Sequence, residues 1–317
     1  MKRRPFRFGV VCEQMASPPA WEAKARQIEE AGYATLLIRD HFISEPFGDQ
    51  FAPLLALLAA AAATTKLRVG SLVLDNDYRH PVLLAKEAAT LDVLSQGRFE
   101  LGLGAGWAGH EYEQAGIPFD PPGLRVSRLQ EALQVLKGLW ADDPLTFEGV
   151  HYHIKELDGF PKPIQHPHPP ILVGASGKRM LALAAREANS IGFLMGDYST
   201  GMEIDDPAQR MGAAIEQKLA WVRKHAGERF EDLELSLMLT VVIHKDQRRA
   251  AEQVAAARGW NGVTAEQILS MPSIVVGSVE QIIEQLIQRR EQYGFSYHIV
   301  SDQYMRQFAP VVAQLTE

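Results

Sequence analysis

Short apolar runs rich in Val, Ile, Leu and Phe alternate with helix-length segments along the whole of this chain. Parallel strands cannot be joined by tight turns and need a crossover, usually a helix, so the alternation points to repeated βαβ units around a parallel sheet. The runs are Phe6 to Val11, Ala34 to Ile38, Leu67 to Leu74, Phe99 to Leu103, Ile171 to Val173, Ser190 to Leu194, Leu235 to Ile243 and Tyr297 to Val300. Eight such runs in 317 residues, seven of them followed by a clear helical pattern, fit a TIM (β/α)8 barrel better than a doubly wound sheet. The expected fold class is therefore α/β, with residues 1–317 as one barrel domain.

Helix boundaries are marked by local chemistry. Ser17-Pro18-Pro19 supplies a cap and first-turn prolines for a helix that closes at Gly32. Phe51 to Thr64 is apolar nearly all round and must be covered. Pro81 opens a helix that ends near Gly97, and further helices are expected over Lys178 to Glu187, Pro207 to Ala226 and Ser278 to Tyr293. The stretch after the fourth run is longer than one crossover requires. It holds a helix from Gly123 to Trp140, a hairpin from Thr146 to Ile154 around Glu148-Gly149, and a proline-rich segment from Pro161 to Pro170. Proline cannot donate to a central ladder, so residues 110–170 are read as an insertion on one rim of the barrel.

Composition narrows the function classes. Lys plus Arg number 32 against 39 Asp plus Glu, a net charge of −7 with no basic block, which argues against nucleic-acid binding. The longest apolar run, Phe51 to Ala63, is too short to span a bilayer, and no apolar signal segment follows the basic start. The expectation is a cytoplasmic protein without membrane partners. A single cysteine, Cys12, excludes an intramolecular disulfide and any multi-cysteine metal site. Cys12 is read as a small buried residue. His151 with His153 and His166 with His168 have chelating spacing, but both pairs sit in the insertion, so no metal is expected.

A barrel of this kind carries its chemistry on the loops that follow the strands. The first run is followed by Cys12-Glu13-Gln14 and the second by Arg39-Asp40-His41. The third runs into Asp75-Asn76-Asp77-Tyr78-Arg79-His80, and the fourth into Gly104-Ala105-Gly106-Trp107-Ala108-Gly109-His110. Gly174-Ala175-Ser176-Gly177 follows the fifth and Ser301-Asp302 the eighth. A histidine at a strand end can move a proton near neutral pH, which singles out His41, and Glu13 offers a second acid or base. Gly104 to Gly109 fits the spacing GxGxxG, but it lies in the fourth unit and no ribose-binding acid follows, so a dinucleotide fold is not expected. Gly174 to Gly177 opens a helix whose free N–H groups favour an anion, with Ser176 adding a hydroxyl; a plain capped helix explains the same residues.

These residues resemble a known family. Gly9-Val10-Val11 with Glu13-Gln14, Gly32-Tyr33 before Asp40-His41-Phe42, and Leu91-Asp92-Val93-Leu94-Ser95-Gln96-Gly97-Arg98 running into Gly102-Leu103-Gly104-Ala105-Gly106-Trp107 are similar to the bacterial luciferase-like superfamily of flavin and deazaflavin oxidoreductases. Glu111-Tyr112, Pro169 to Gly174 and Val276-Gly277-Ser278 extend the likeness over essentially the whole chain. The phrase Leu74 to Pro81 resembles the subgroup of probable coenzyme F420-dependent oxidoreductases. The resemblance implies a deazaflavin, or alternatively FMN, at the C-terminal mouth. It implies a non-prolyl cis peptide at Leu72-Val73 supporting the ring, with Asp40, Gly106, Trp107 and His110 around it. It places Gly174, Ala175, Ser176 and Gly177 about the cofactor phosphate, and Glu13 and His41 as acid and base.

Trp107 departs from the sugar-phosphate dehydrogenase members, which carry a glutamate there. An indole instead walls the pocket, and the insertion is expected to act as a lid rather than a charged site. The implied activity is F420-dependent hydride transfer with a small-molecule substrate. The rivals are an FMN-dependent monooxygenase and a barrel that binds flavin without turnover. Members of the family are often homodimers, and the apolar helices suit a buried face.

Overall fold

A computed structural model describes residues 4–13, 17–198 and 200–316. Its barrel strands are β1 (Arg7–Cys12), β2 (Thr35–Ile38), β3 (Arg68–Ser71, resuming as Leu74–Asp75), β4 (Phe99–Gly104), β5 (Ile171–Ala175), β6 (Ser190–Phe193), β7 (Glu234–Met238) and β8 (Phe295–Ser301). Every neighbouring pair is parallel, and β8 returns to pair with β1, Gly9 opposite Ile299. The sheet therefore closes on itself, a TIM barrel as the strand pattern predicts, and no edge is left to template aggregation.

The helices are α1 (Pro18–Glu30), α2 (Pro53–Ala62), α3 (Pro81–Leu94), α4 (Gly109–Ala115), α5 (Pro122–Trp140), α6 (Lys178–Glu187), α7 (Gly212–Ala226), α8 (Gln247–Ala257), α9 (Ala265–Ser270), α10 (Val279–Tyr293) and α11 (Met305–Thr316). Four of them, α1, α2, α3 and α5, begin at a proline, whose missing N–H costs nothing in the first turn. Ser278 and Gln281 form a reciprocal capping box at the start of α10, and Gly294 ends it with φ 85°. None of the helices among the described residues is long and apolar enough to cross a membrane.

Two runs read as single strands are interrupted. The third stops at Ser71, passes through a cis peptide at Leu72-Val73, and resumes at Leu74. The seventh breaks at Leu239: Glu234–Met238 stays in the barrel, whereas Thr240–Ile243 pairs in parallel with Ile274–Gly277. Those two strands, with α8 and α9, pack around a satellite core of Val254, Trp260, Ile268, Met271 and Ile274. The cause is a partner change, since Leu239 N–H still donates to Ile299 while Thr240 N–H donates to Ser273. The predicted hairpin is present with its return arm shifted, Leu145–Glu148 against His153–Leu157. Glu131 on α5 holds its turn by accepting the N–H groups of Val150, His151 and Tyr152.

Side chains alternate in and out along each barrel strand. Outward ones pack beneath the helices in the main core; inward ones form a second cluster of Val11, Leu37, Leu172, Tyr297 and Ile299. Below that cluster lies an ion network in which Arg7 bridges Glu100 and Glu234 at 2.5 and 2.6 Å and stacks on Tyr297. The N-terminal end of the barrel is thus plugged. The C-terminal end is where the interior opens.

Candidate active site

A cleft of about 310 Å³ lies at that C-terminal end, within the ~300–1,000 Å³ range of small-ligand sites. Its walls come from the loops after β2, β3, β4, β5 and β6.

The loop after β2 delivers Arg39, Asp40 and His41 to the cleft. Asp40 is buried and its carboxylate is clamped by both terminal nitrogens of Arg79, at 2.5 and 2.9 Å. It also accepts the N–H of Asp75 at 3.0 Å, so it locks the second loop to the third. His41 lies with Nδ1 2.6 Å from Oε1 of Glu111, whose side chain is fully buried. Burial works to raise the carboxyl pKa of Glu111. The hydrogen bonds from His41 and from Phe42 N–H, with the nearby histidine charge, outweigh it and hold Glu111 below its ordinary value. An ionised carboxylate carries no hydrogen, so Nδ1 of His41 is the donor and Nε2 is left for a partner in the cleft.

Glycines shape the wall built by the third and fourth strands. A Cβ on Gly102 would fall 2.0 Å from Ser71 O, and one on Gly104 would fall 2.8 Å from Cγ2 of Val73. Both positions stay bare so that the kinked third strand can press inward, and Leu72 and Val73 line the cleft as a result. Gly106 has φ 78°, and a Cβ there would lie 1.8 Å from the hydroxyl of Tyr112. That hydroxyl lies 2.8 and 2.7 Å from the two oxygens of Asp75. Burial, reinforced by the neighbouring Asp77 and Asp40, pushes the Asp75 carboxyl up to about 7 despite bonds from Asp77 N–H and Tyr112. Arg125 is buried beneath this loop and donates to the carbonyls of Ala105, Gly106 and Asp120.

On the opposite side α6 starts at Lys178, and its N-terminal turn presents Ser176, Gly177, Arg179 and Met180 to the cleft. Gly177 caps the helix without a side-chain hydrogen bond, and nothing lies within 4 Å of where its Cβ would be. Gly123, in the first turn of α5, faces Arg179, its Cβ position 3.0 Å from Nη1. Two helix N-termini and a guanidinium converge there, the arrangement that suits a phosphate. The hydroxyl hydrogen of Ser176 is committed elsewhere, donated to Gly196 O at 2.6 Å.

Of the residues singled out by sequence, the fold brings together His41, Asp40, Leu72, Val73, Gly106, Trp107, Gly174, Ser176 and Gly177. Three stand outside the cleft lining. Glu13 is paired with Arg39 at 3.0 Å and accepts from Ser301 at 2.8 Å, on the β1–β8 side of the mouth. His110 is turned to solvent by the start of α4. Ala175 points outward into the main core, because its neighbour Gly174 takes the inward position on β5. Gln14 lies outside the described residues. Cys12 is fully buried, which raises its thiol pKa. The paired histidines of the insertion have local partners: His151 bonds Ser127, and His168 donates to Pro169 O.

Glu111, buried against His41, is a site residue that strand-end position alone does not single out. Its place in the first turn of α4, directly after the glycine loop, is the signal the sequence offers.

A family model described as luciferase-like monooxygenase matches residues 6–297. An F420-dependent glucose-6-phosphate dehydrogenase from Microbacterium testaceum is 28% identical over 289 residues, covering 90% of this chain and 81% of that protein. An FMNH2-dependent dimethylsulfone monooxygenase from Pseudomonas putida is 31% identical over 184 residues, 56% of this chain and 50% of that protein. Among solved structures, an F420-dependent secondary alcohol dehydrogenase in complex with an F420-acetone adduct superposes with a TM-score of 0.76. It is 17% identical, and the match covers 99% of this chain and 100% of that one.

Proposed function

Because the chain belongs to the luciferase-like monooxygenase family, we propose that it is an F420-dependent oxidoreductase acting on a small organic substrate. The observation that carries the reading is the His41–Glu111 pair set into the wall of a cleft whose far end is built for an anion. The residues fit a deazaflavin cofactor. Leu72, Val73, Met180 and Leu194 offer an apolar bed for a flat ring, with Asp40, Gly106 and Trp107 beside it. Gly177, Arg179 and the first turn of α6 offer N–H groups and a positive charge to a phosphate. Family relatives divide between F420 and FMNH2 as cofactor, and resemblance to the F420 subgroup at Leu74 to Pro81 favours the former.

When bound, the deazaflavin supplies or accepts the hydride at C5. The protein's part is a proton. In the direction of alcohol oxidation, Nε2 of His41 takes the hydroxyl proton as the hydride leaves carbon; carbonyl reduction runs the same transfer backwards. Glu111 holds the imidazole in the tautomer with Nε2 free and stabilises the imidazolium once the proton arrives. Arg79 holds Asp40 in place through both terminal nitrogens, so the floor beside the histidine does not shift.

Equilibrium binding of F420 and FMN to the purified protein, side by side, tests the cofactor. A clear preference for FMN together with oxygen consumption would overturn the assignment, because reduced deazaflavin does not react usefully with oxygen. His41→Ala should lower turnover by ~10²–10⁴-fold, and Glu111→Gln should lower it less while shifting its pH profile. Turnover at the wild-type rate in His41→Ala would remove the proton-transfer role.

A further inference from the structure

Three aromatic rings cluster with the imidazole of His41. Its imidazole lies 4.8 Å from the Phe47 ring and 5.9 Å from Trp107, and Trp107 stands edge-on to Phe47 at 6.1 Å and to Tyr198 at 5.4 Å. All four line the cleft and are only partly buried, so their remaining surface faces whatever occupies it. They come from three different loops, after β2, β4 and β6, and meet nowhere in sequence. Aromatic edges and faces in that arrangement favour a flat, apolar partner.

The charges around the enclosure are already matched. Arg39 is bonded to Glu13 at 3.0 Å and lies over the Phe47 ring at 4.2 Å. Arg125 is committed to three backbone carbonyls. Arg179 belongs to the helix N-termini on the other side of the cleft, where its neighbour is Gly123. The hydroxyl of Tyr198 donates to Glu203 at 2.8 Å. A phosphorylated sugar would bring a dianion and several hydroxyls to a place where the nearest cation is already neutralised and the walls are rings. Desolvating such a group without partners is unfavourable. Nε2 of His41, left over once Glu111 engages Nδ1, offers a partner to one polar atom.

Resting on the oxidoreductase reading above, we propose that the substrate is an uncharged alicyclic or aromatic compound bearing a single carbonyl or hydroxyl group, held in the enclosure of Phe47, Trp107 and Tyr198. The substrate class then differs from that named for the sugar-phosphate relatives, with the indole of Trp107 as the main cause.

The test is calorimetric. The protein is first titrated with F420 and with FMN, and then, loaded with whichever binds, with cyclohexanone, benzaldehyde and glucose 6-phosphate. Failure to bind F420 bears on the cofactor reading alone, since the probe series runs on the FMN form equally well. The expected result is that both uncharged probes bind more tightly than glucose 6-phosphate. Phe47→Ala and Trp107→Ala should each weaken the uncharged probes by about tenfold, as loss of an aromatic contact and its burial predicts. Phe47→Ala should leave the affinity for the cofactor within about twofold, which separates a substrate wall from a general loss of structure. Tighter binding of glucose 6-phosphate by the wild-type protein would overturn the proposal, even if neither variant folds. So would uncharged probes whose affinity is the same in wild type and in both variants.

Discussion

Gly106 shows how much one residue can decide. With φ 78° and no room for a Cβ beside Tyr112, it lets the loop after β4 turn tightly over the Asp75–Tyr112 pair and present its backbone to the cleft. Gly106→Ala should therefore lower stability by ~1–3 kcal/mol and weaken cofactor binding. Adding Tyr112→Phe removes the nearest clashing oxygen but leaves the Asp75 carboxylate, 2.5 Å from the Cβ position, and the unfavourable φ, so it should restore only part of the loss. Thermal melts of the two variants and the wild type check this; a Gly106→Ala protein with an unchanged midpoint would contradict it. The importance of this glycine is legible in sequence from its place after a strand. The reason for it is not, because Tyr112 and Asp75 approach it from other parts of the chain. Glu111 is a similar case: a carboxylate on a short helix reads as solvated until the fold buries it against His41.

Among the elements, β8 joins the two ends of the sheet, and its His298 is fully buried against Phe6 and Phe8 at 5.9 and 6.0 Å between ring centres. Burial, aided by the charges of Arg289 and Arg290, pushes its pKa down to about 3. The folded protein keeps the imidazole neutral, while the unfolded chain takes up a proton below its ordinary value of 6.5. His298 therefore supports the fold fully above pH 6.5, and that support is lost as pH falls from 6.5 toward 3. His298→Phe should flatten the acid side of a plot of melting temperature against pH; a slope equal to wild type between pH 4 and 6.5 would show that the residue does not couple. Strand periodicity locates β8, yet it marks neither α11 nor the satellite pair Thr240–Ile243 and Ile274–Gly277. A proline inside α11 and a seventh run interrupted only by Ser236 and Thr240 disguise where each element ends. The break at Leu239 depends on which strand offers the next carbonyl, and periodicity carries no such information.

At the scale of the whole molecule, the barrel separates stability from chemistry by placing them at opposite ends. Arg7, Glu100 and Glu234 close the bottom, with Arg68 also bonded to Glu100, and the cleft opens at the top. Removing one charge from that plug strands its partners in a poorly solvated place. Glu100→Gln is expected to cost about 3 kcal/mol of stability and to leave the affinity for F420 unaltered, as denaturant titration and cofactor binding on the same preparation would reveal. A matching loss of cofactor affinity would mean that the two ends are coupled. What the amino-acid order determines by itself is local: which runs extend, which coil, where prolines and glycines stop them, and that polar groups follow the strands. These follow from side-chain periodicity and backbone propensity, properties of near neighbours along the chain. Tertiary structure alone decides that His41 meets Glu111, that Glu13 turns instead to Arg39, and that Phe47, Trp107 and Tyr198 enclose one space. Closing eight strands into a ring brings loops that are distant in sequence to a common mouth, and contacts made across that mouth have no signature in the spacing of the residues that form them.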